Sequence, residues 1–143
     1  MVENNLPIGS RLMGVSTVEY RGSGGSELLL DEIQLIFPEA TVILKAIADT
    51  DEVEIVSETK TAFEPADIPS WCRSFLGKKL QAVWICENDQ GYRDQVIFAF
   101  DLLRPSLAFV AECSSLIAFR YEQISTIAVS NQLSAVSLHQ KSC

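Results

Sequence analysis

Two short stretches of this chain decide its fold: residues 31–37 read DEIQLIF, and residues 94–100 read DQVIFAF. An alternating, strand-like run follows each copy. Side chains along a strand alternate between faces with a period of two, so agreement in parity means that both copies bury the same positions. Ile33 corresponds to Val96 and Phe37 to Phe100. We therefore predict two similar sheet units, and a shared folding pattern without true duplication stays open because identity between the halves is low.

Turn signals divide each half into four strand candidates. The expected strands lie at residues 12–20, 28–37, 41–48 and 52–58 in the first half, and at residues 79–87, 92–102, 107–113 and 116–121 in the second half. Alternation in the fifth strand places four residues on one face: Leu80, Ala82, Trp84 and Cys86.

A short helix is expected between the halves, at residues 70–76. Ser70 suits the amino-terminal cap, and Gly77 suits a left-handed stop. Trp71 and Phe75 fall one turn apart on one face, so we expect this helix to cover the sheet with its aromatic side chains.

The predicted fold class is mainly β. Two similar four-stranded antiparallel meanders, about 12–58 and 79–121, form a sandwich or a barrel with the short helix between them. A length of 143 residues indicates one domain, and the 48% apolar composition suits a strand-filled core plus a subunit interface. The tail at residues 124–143 has features of both a final strand and a loose helix.

The sequence carries no targeting signal that we recognise. Its amino terminus lacks the positive region and apolar stretch of a secretion signal, and no apolar run is long enough to span a bilayer. The four cysteines are spaced too irregularly for a zinc knuckle or a redox pair. We therefore expect a cytoplasmic protein with reduced thiols and with neither a metal nor a cofactor.

The negative charge is concentrated in the first half. The formal net charge is −8, and residues 27–67 contain eleven acids against two bases. Such a field repels nucleic acid and favours a basic protein partner, although a solvated face that only keeps the protein soluble is the alternative. The candidate contact residues are the acids of one corner: Asp49, Asp51, Glu52 and Glu54. Their spacing does not match a calcium-binding loop, which needs glycine at the position of Glu54.

The chain offers little for catalysis. Its single histidine, His139, lies near the end, which argues against Ser-His or Cys-His nucleophilic catalysis. Asp31 and Asp94 hold equivalent positions in the two halves, and a pseudo-twofold axis would bring them together as a carboxylate pair. The alternative is that each aspartate begins a strand beside solvent.

Residues 88–94 read NDQGYRD, preceded by Trp84 and followed by an apolar strand. In this second half the chain resembles a family of small bacterial proteins grouped only as a domain of unknown function. The resemblance implies a compact, soluble bacterial protein and transfers no catalytic residue. Tyr92 and Arg93 beside the glycine turn are candidates for a recognition tip, and a plain hairpin with an amphipathic flank is the alternative.

Together these observations favour a non-catalytic module that binds a basic protein or associates with itself, as in a homodimer. We expect no nucleic-acid partner and no membrane partner. One alternative is a small-molecule binder or hydrolase that uses Asp31 and Asp94 inside the barrel. Another is an immunity-type protein that neutralises a basic toxin.

Overall fold

The computed structural model describes residues 5–19, 28–59 and 68–126. These residues form eight antiparallel strands and one short 3-10 helix, so the mainly β prediction is confirmed. The strands are β1 (Gly14–Glu19), β2 (Leu29–Ile36), β3 (Thr41–Ile47), β4 (Glu52–Glu58), β5 (Leu80–Glu87), β6 (Arg93–Phe100), β7 (Leu107–Glu112) and β8 (Ser115–Arg120). Most of the predicted tail, including His139, lies outside the described residues.

The strands pair as two consecutive meanders, β1 to β4 and β5 to β8. The meanders join where Leu29 and Leu30 of β2 pair with the start of β8. A single bridge between Arg11 and Lys79, which lie just before β1 and β5, links the two meanders again. The result is one sheet curled into a half-barrel. The sequence had left a sandwich and a barrel open, and the observed sheet is closer to the barrel.

The two aspartates that open the repeated stretches occupy the same structural position. In the pairing of β2 with β1, the register passes from Leu30 to Glu32, so Asp31 is the extra residue of a β-bulge. The register between β6 and β5 skips Asp94 in the same way. A bulge bends its strand and increases the local twist, so these paired irregularities help to curl the sheet.

The parity predicted for the two halves is confirmed in the core. The corresponding residues of the two repeated stretches are all buried: Ile33, Leu35 and Phe37 in β2 and just after it, and Val96, Phe98 and Phe100 in β6. In β3 and β7 the matching pairs are Val42 with Leu107 and Leu44 with Phe109. The Phe98 and Phe109 rings meet edge to face with their centroids 6.1 Å apart. Apolar side chains therefore fill the interior of the half-barrel.

The prediction for the face of the fifth strand is wrong. The register of β5 shifts between Leu80 and Ala82, so Leu80 lies on the core side together with Val83 and Ile85. Trp84 instead pairs with Ile97 and faces outward, with 36% of its surface exposed. Simple alternation fails here because one inserted residue exchanges the two faces for the rest of the strand.

The helix between the meanders is a 3-10 helix at Ser70–Phe75. Its cap residue is Pro69, not Ser70 as predicted, and the Pro69 carbonyl accepts hydrogen bonds from the Cys72 amide and thiol at 3.2 and 3.3 Å. Gly77 follows at φ +81°, the left-handed conformation that was expected of it. Trp71 packs against the Phe109 ring, so the helix does place an aromatic side chain on the sheet.

Candidate binding surface at the acidic end

Turns from both meanders meet at one end of the half-barrel. The Ser114 amide, in the turn between β7 and β8, donates to Asp51 Oδ1 at 3.0 Å. The Arg93 amide, at the start of β6, donates to Glu52 Oε2 at 3.1 Å. These two hydrogen bonds tie the turn between β3 and β4 to the second meander.

Seven acids lie in or beside these three turns, and we call them the acidic end: Asp49, Asp51, Glu52, Glu87, Asp89, Asp94 and Glu112. Within the described turns, Arg93 is the cation that accompanies them. Four of the seven are exposed, namely Asp49, Glu87, Asp89 and Glu112. The exposed four are available to a partner, whereas Asp51, Glu52 and Asp94 are half-buried and accept hydrogen bonds within the protein.

Local sequence explains why these turns are well defined. Cys113 and Ser114 both have positive φ, as a two-residue hairpin turn matched to strand twist requires. In the turn between β5 and β6, Asn88 Oδ1 accepts hydrogen bonds from the amides of Gln90 and Tyr92 at 2.8 and 3.2 Å. An asparagine side chain that bonds the backbone ahead of it mimics a turn, so Tyr92 is presented on a fixed tip.

Acidic side chains continue from this end along the outer face of the first meander. Glu32, Lys45 and Glu54 are cross-strand neighbours on β2, β3 and β4. Lys45 Nζ lies 3.8 Å from Glu32 Oε1, and Gln34 donates to the other Glu32 oxygen at 2.6 Å. Exposed ion pairs contribute little to stability, but this lysine offsets part of the negative charge on that face.

Five of the six predicted contact residues lie at this end, in the turns that contain Asp49 and Tyr92, whereas Glu54 lies farther along β4 on the outer face. Asp49, Asp51 and Glu52 share a turn, and Glu52 contacts the backbone of Arg93, beside the exposed Tyr92. The sequence had suggested an acidic corner and a recognition tip as two separate features. Three acids were missed: Glu87, Asp89 and Glu112. The second half is nearly neutral overall, so its composition did not indicate an acidic surface. The one sequence feature that could have found these three acids is that each lies next to a hairpin turn.

The structure does not place Asp31 and Asp94 together inside the barrel. Asp31 is exposed, since its bulge turns it away from the apolar interior. Asp94 is half-buried, and its Oδ2 accepts a hydrogen bond from the side-chain Nδ2 of Asn88 at 3.2 Å. The expectation of an interior site containing both carboxylates is therefore wrong for Asp31.

Other chemical groups in the described residues are structural or solitary. Burial raises the pKa of the Cys72 thiol to about 11, which suits a core side chain and not a nucleophile. Within residues 5–19, 28–59 and 68–126, no cluster of three or more His, Cys, Asp or Glu side chains is arranged to hold a metal ion. No helix in these ranges is both long and apolar enough to cross a bilayer.

Fold and surface together define a small antiparallel half-barrel with an apolar interior and a charged rim. The chain belongs to the family of unknown function DUF6334, whose sequence model matches residues 1–125. The predicted resemblance to a domain of unknown function is confirmed, and the match covers both meanders instead of mainly the second. Neither a curated protein nor a solved structure matches the chain.

Proposed function

We propose that the protein is a non-catalytic binding module whose acidic end holds a basic protein surface. The observation that carries this proposal is the convergence of seven carboxylates from both meanders on one end, accompanied in the described turns by Arg93. Clustered charge of one sign raises the local concentration of oppositely charged partners and speeds their association.

Two further features support binding at this end. The hydrogen bonds from Ser114 and Arg93 fix the turns before any partner arrives, which lowers the entropy lost on association. The exposed Tyr92 supplies an aromatic side chain of the kind that interfaces favour. An interface of acidic rim and aromatic tip is well matched to a partner that presents lysine and arginine side chains.

The same charges argue against pairing of two acidic ends, because identical ends of two copies repel each other. A homodimer would have to use another surface. The hydrolase alternative has weaker support, since apolar side chains fill the interior and Asp31 is exposed. An immunity-type role is a narrower form of the proposal, in which the basic partner is a toxin.

The test is a pull-down with two baits of equal net charge. In the first, Asp49→Lys and Asp89→Lys reverse exposed charges at the acidic end and spare the hydrogen-bonded Asp51 and Glu52. In the control, Glu58→Lys and Glu122→Lys reverse exposed charges outside the acidic end. We expect wild type and control to retain basic proteins in a salt-sensitive way, and the first bait to lose them.

Identical sets of captured proteins for the two baits would contradict the proposal. A basic protein that wild type retains is then purified and titrated by calorimetry against wild type and against each of the two variant baits. For the immunity-type form, the captured protein should be toxic when expressed alone and harmless when expressed together with the wild-type chain.

A further inference from the structure

The opposite end of the half-barrel exposes large apolar side chains. Among the described residues, the four most exposed of these are Leu103 at 72%, Ile124 at 60%, Leu102 at 54% and Ile8 at 53%. Leu102 and Leu103 form the tip of the loop between β6 and β7. Gln123, the neighbour of Ile124, accepts a hydrogen bond from Arg104 Nη1 at 2.7 Å, so Ile124 lies close to the same loop.

This loop holds its leucines outward in a fixed geometry. The Leu102 amide donates to the Phe100 carbonyl at 2.8 Å, and the Arg104 amide donates to the Leu102 carbonyl at 2.9 Å, which makes two successive three-residue turns. Asp101, at the centre of the first turn, has φ +66°. Its amide donates to the Lys79 carbonyl at 2.7 Å, and its Oδ1 accepts from the Lys79 amide at 3.0 Å.

Positive side chains are concentrated at the same end of the half-barrel as this tip. Six of the eight lysines and arginines in the described residues lie at this end, and we call them the basic end: Arg11, Arg73, Lys78, Lys79, Arg104 and Arg120. Their placement follows from contacts between neighbouring segments, since Arg11 pairs with Lys79 and donates to the Gly77 carbonyl at 2.9 Å. Four described acids lie at the same end, namely Glu39, Glu58, Asp101 and Glu122, so the six cations leave a local balance of +2.

The acidic end is too distant to cancel this positive charge. β5 runs from beside the basic end to the acidic end over eight residues, which at about 3.3 Å per residue is about 26 Å. The screening length at physiological salt is about 8 Å. A surface that contacts the basic end therefore experiences the local positive charge much more strongly than the net charge of the chain.

We propose that the basic end docks on an anionic phospholipid surface, with Leu102 and Leu103 inserted at the boundary between headgroups and acyl chains. Exposed apolar side chains combined with lysine and arginine are the combination that holds proteins on such surfaces. The narrow tip favours lipid over protein, because a protein partner needs a matching pocket and a headgroup layer deforms around the tip. The expectation of no membrane partner came from the absence of an apolar run long enough to span a bilayer, and docking at a lipid surface needs no such run.

The experiment measures co-sedimentation of the full chain with vesicles. One set is pure phosphatidylcholine, and the other contains roughly one-third phosphatidylglycerol. We expect binding to the anionic set alone, weakened by salt. Leu102→Ser with Leu103→Ser should reduce the partition coefficient by about tenfold or more, because two apolar anchors are lost. Val18→Ser, at a residue 49% exposed on the outer face of β1, is the matched control and should bind as wild type does.

Charge is tested separately. Arg73→Gln at the basic end should weaken binding to anionic vesicles by about fivefold, whereas Lys45→Gln on the outer face of the first meander should not. Wild type that fails to bind anionic vesicles would overturn the proposal, and so would leucine variants that bind equally well. If wild type does not bind vesicles and the leucine variants change the oligomeric state in the absence of vesicles, the tip is a protein interface and the lipid-docking proposal is wrong. The paired variant Asp49→Lys with Asp89→Lys should still bind, which keeps this test independent of the acidic end.

Discussion

Asp51 ties the first meander to the second, and its removal tests whether that link stabilises the fold. Its Oδ1 accepts a hydrogen bond from the Ser114 amide at 3.0 Å, and its own backbone is left-handed at φ +53°. A side-chain hydrogen bond of this kind contributes about 1 kcal/mol. Alanine pays about 1–2 kcal/mol more for the left-handed conformation, which glycine avoids and which both aspartate and asparagine tolerate.

Three substitutions separate these two effects. Asp51→Asn keeps an acceptor oxygen and a tolerant backbone, so the free energy of unfolding should change by less than about 0.5 kcal/mol. Asp51→Gly loses the hydrogen bond and should cost about 1 kcal/mol. Asp51→Ala loses the bond at a strained backbone and should cost about 2 kcal/mol.

The assay is urea denaturation followed by tryptophan fluorescence, with linear extrapolation to water. Glu54→Ala, at an exposed residue on the neighbouring strand, is the control and should lie within about 0.5 kcal/mol of wild type. Equal stability of the alanine and glycine variants would refute the backbone argument. Wild-type stability in both would refute the contribution of the link itself.

Three further predictions concern the core, the helix and its stop. Phe98→Ala should cost about 3–5 kcal/mol in urea denaturation, because Phe98 is fully buried between other rings, whereas Tyr92→Ala should cost little. Burial raises the pKa of Cys72 from 9.0 to about 11, so its contribution to the free energy of unfolding should fall as the pH rises from 9.0 toward 11. Cys72→Ala should remove this pH dependence of the free energy of unfolding. A pH dependence that survives the substitution would belong to another group. Gly77→Ala should lower the free energy of unfolding by about 1 kcal/mol in differential scanning calorimetry. A Cβ at Gly77 would have no atom within 4 Å, so the cost comes from the backbone φ of +81° alone. Unchanged stability would exclude backbone strain at this residue.

Strand existence and parity could be predicted because alternation is a local property. Ile33 and Val96 reach the core for the same reason, a period of two read from the chain alone. The face of Trp84 could not be predicted, since a bulge is set by how β5 pairs with β6. Asp31 failed as an interior residue for a related reason: the bulge that makes it equivalent to Asp94 also turns it to solvent.

The candidate surface could be predicted only in part. The run of acids around Asp49 is visible as composition, and so is the hairpin tip at Tyr92. Their union depends on the hydrogen bond between Glu52 and the Arg93 amide, which joins residues far apart along the chain. Glu112 and Asp89 belong to the same surface because their turns lie close to the turn that contains Asp49. No spacing in the sequence predicts that these turns are close in space.

By itself the sequence determined that this chain forms two meanders with an apolar core, because burial alternates along each strand with a period that needs no distant partner. Only the tertiary structure decided how charge is divided over the surface. Curling of the sheet gathers acids at one end and sets Lys79 and the exposed leucines at the other. The physical reason is that electrostatic fields depend on distances through space, and those distances are set by the curvature of the sheet and not by order along the chain.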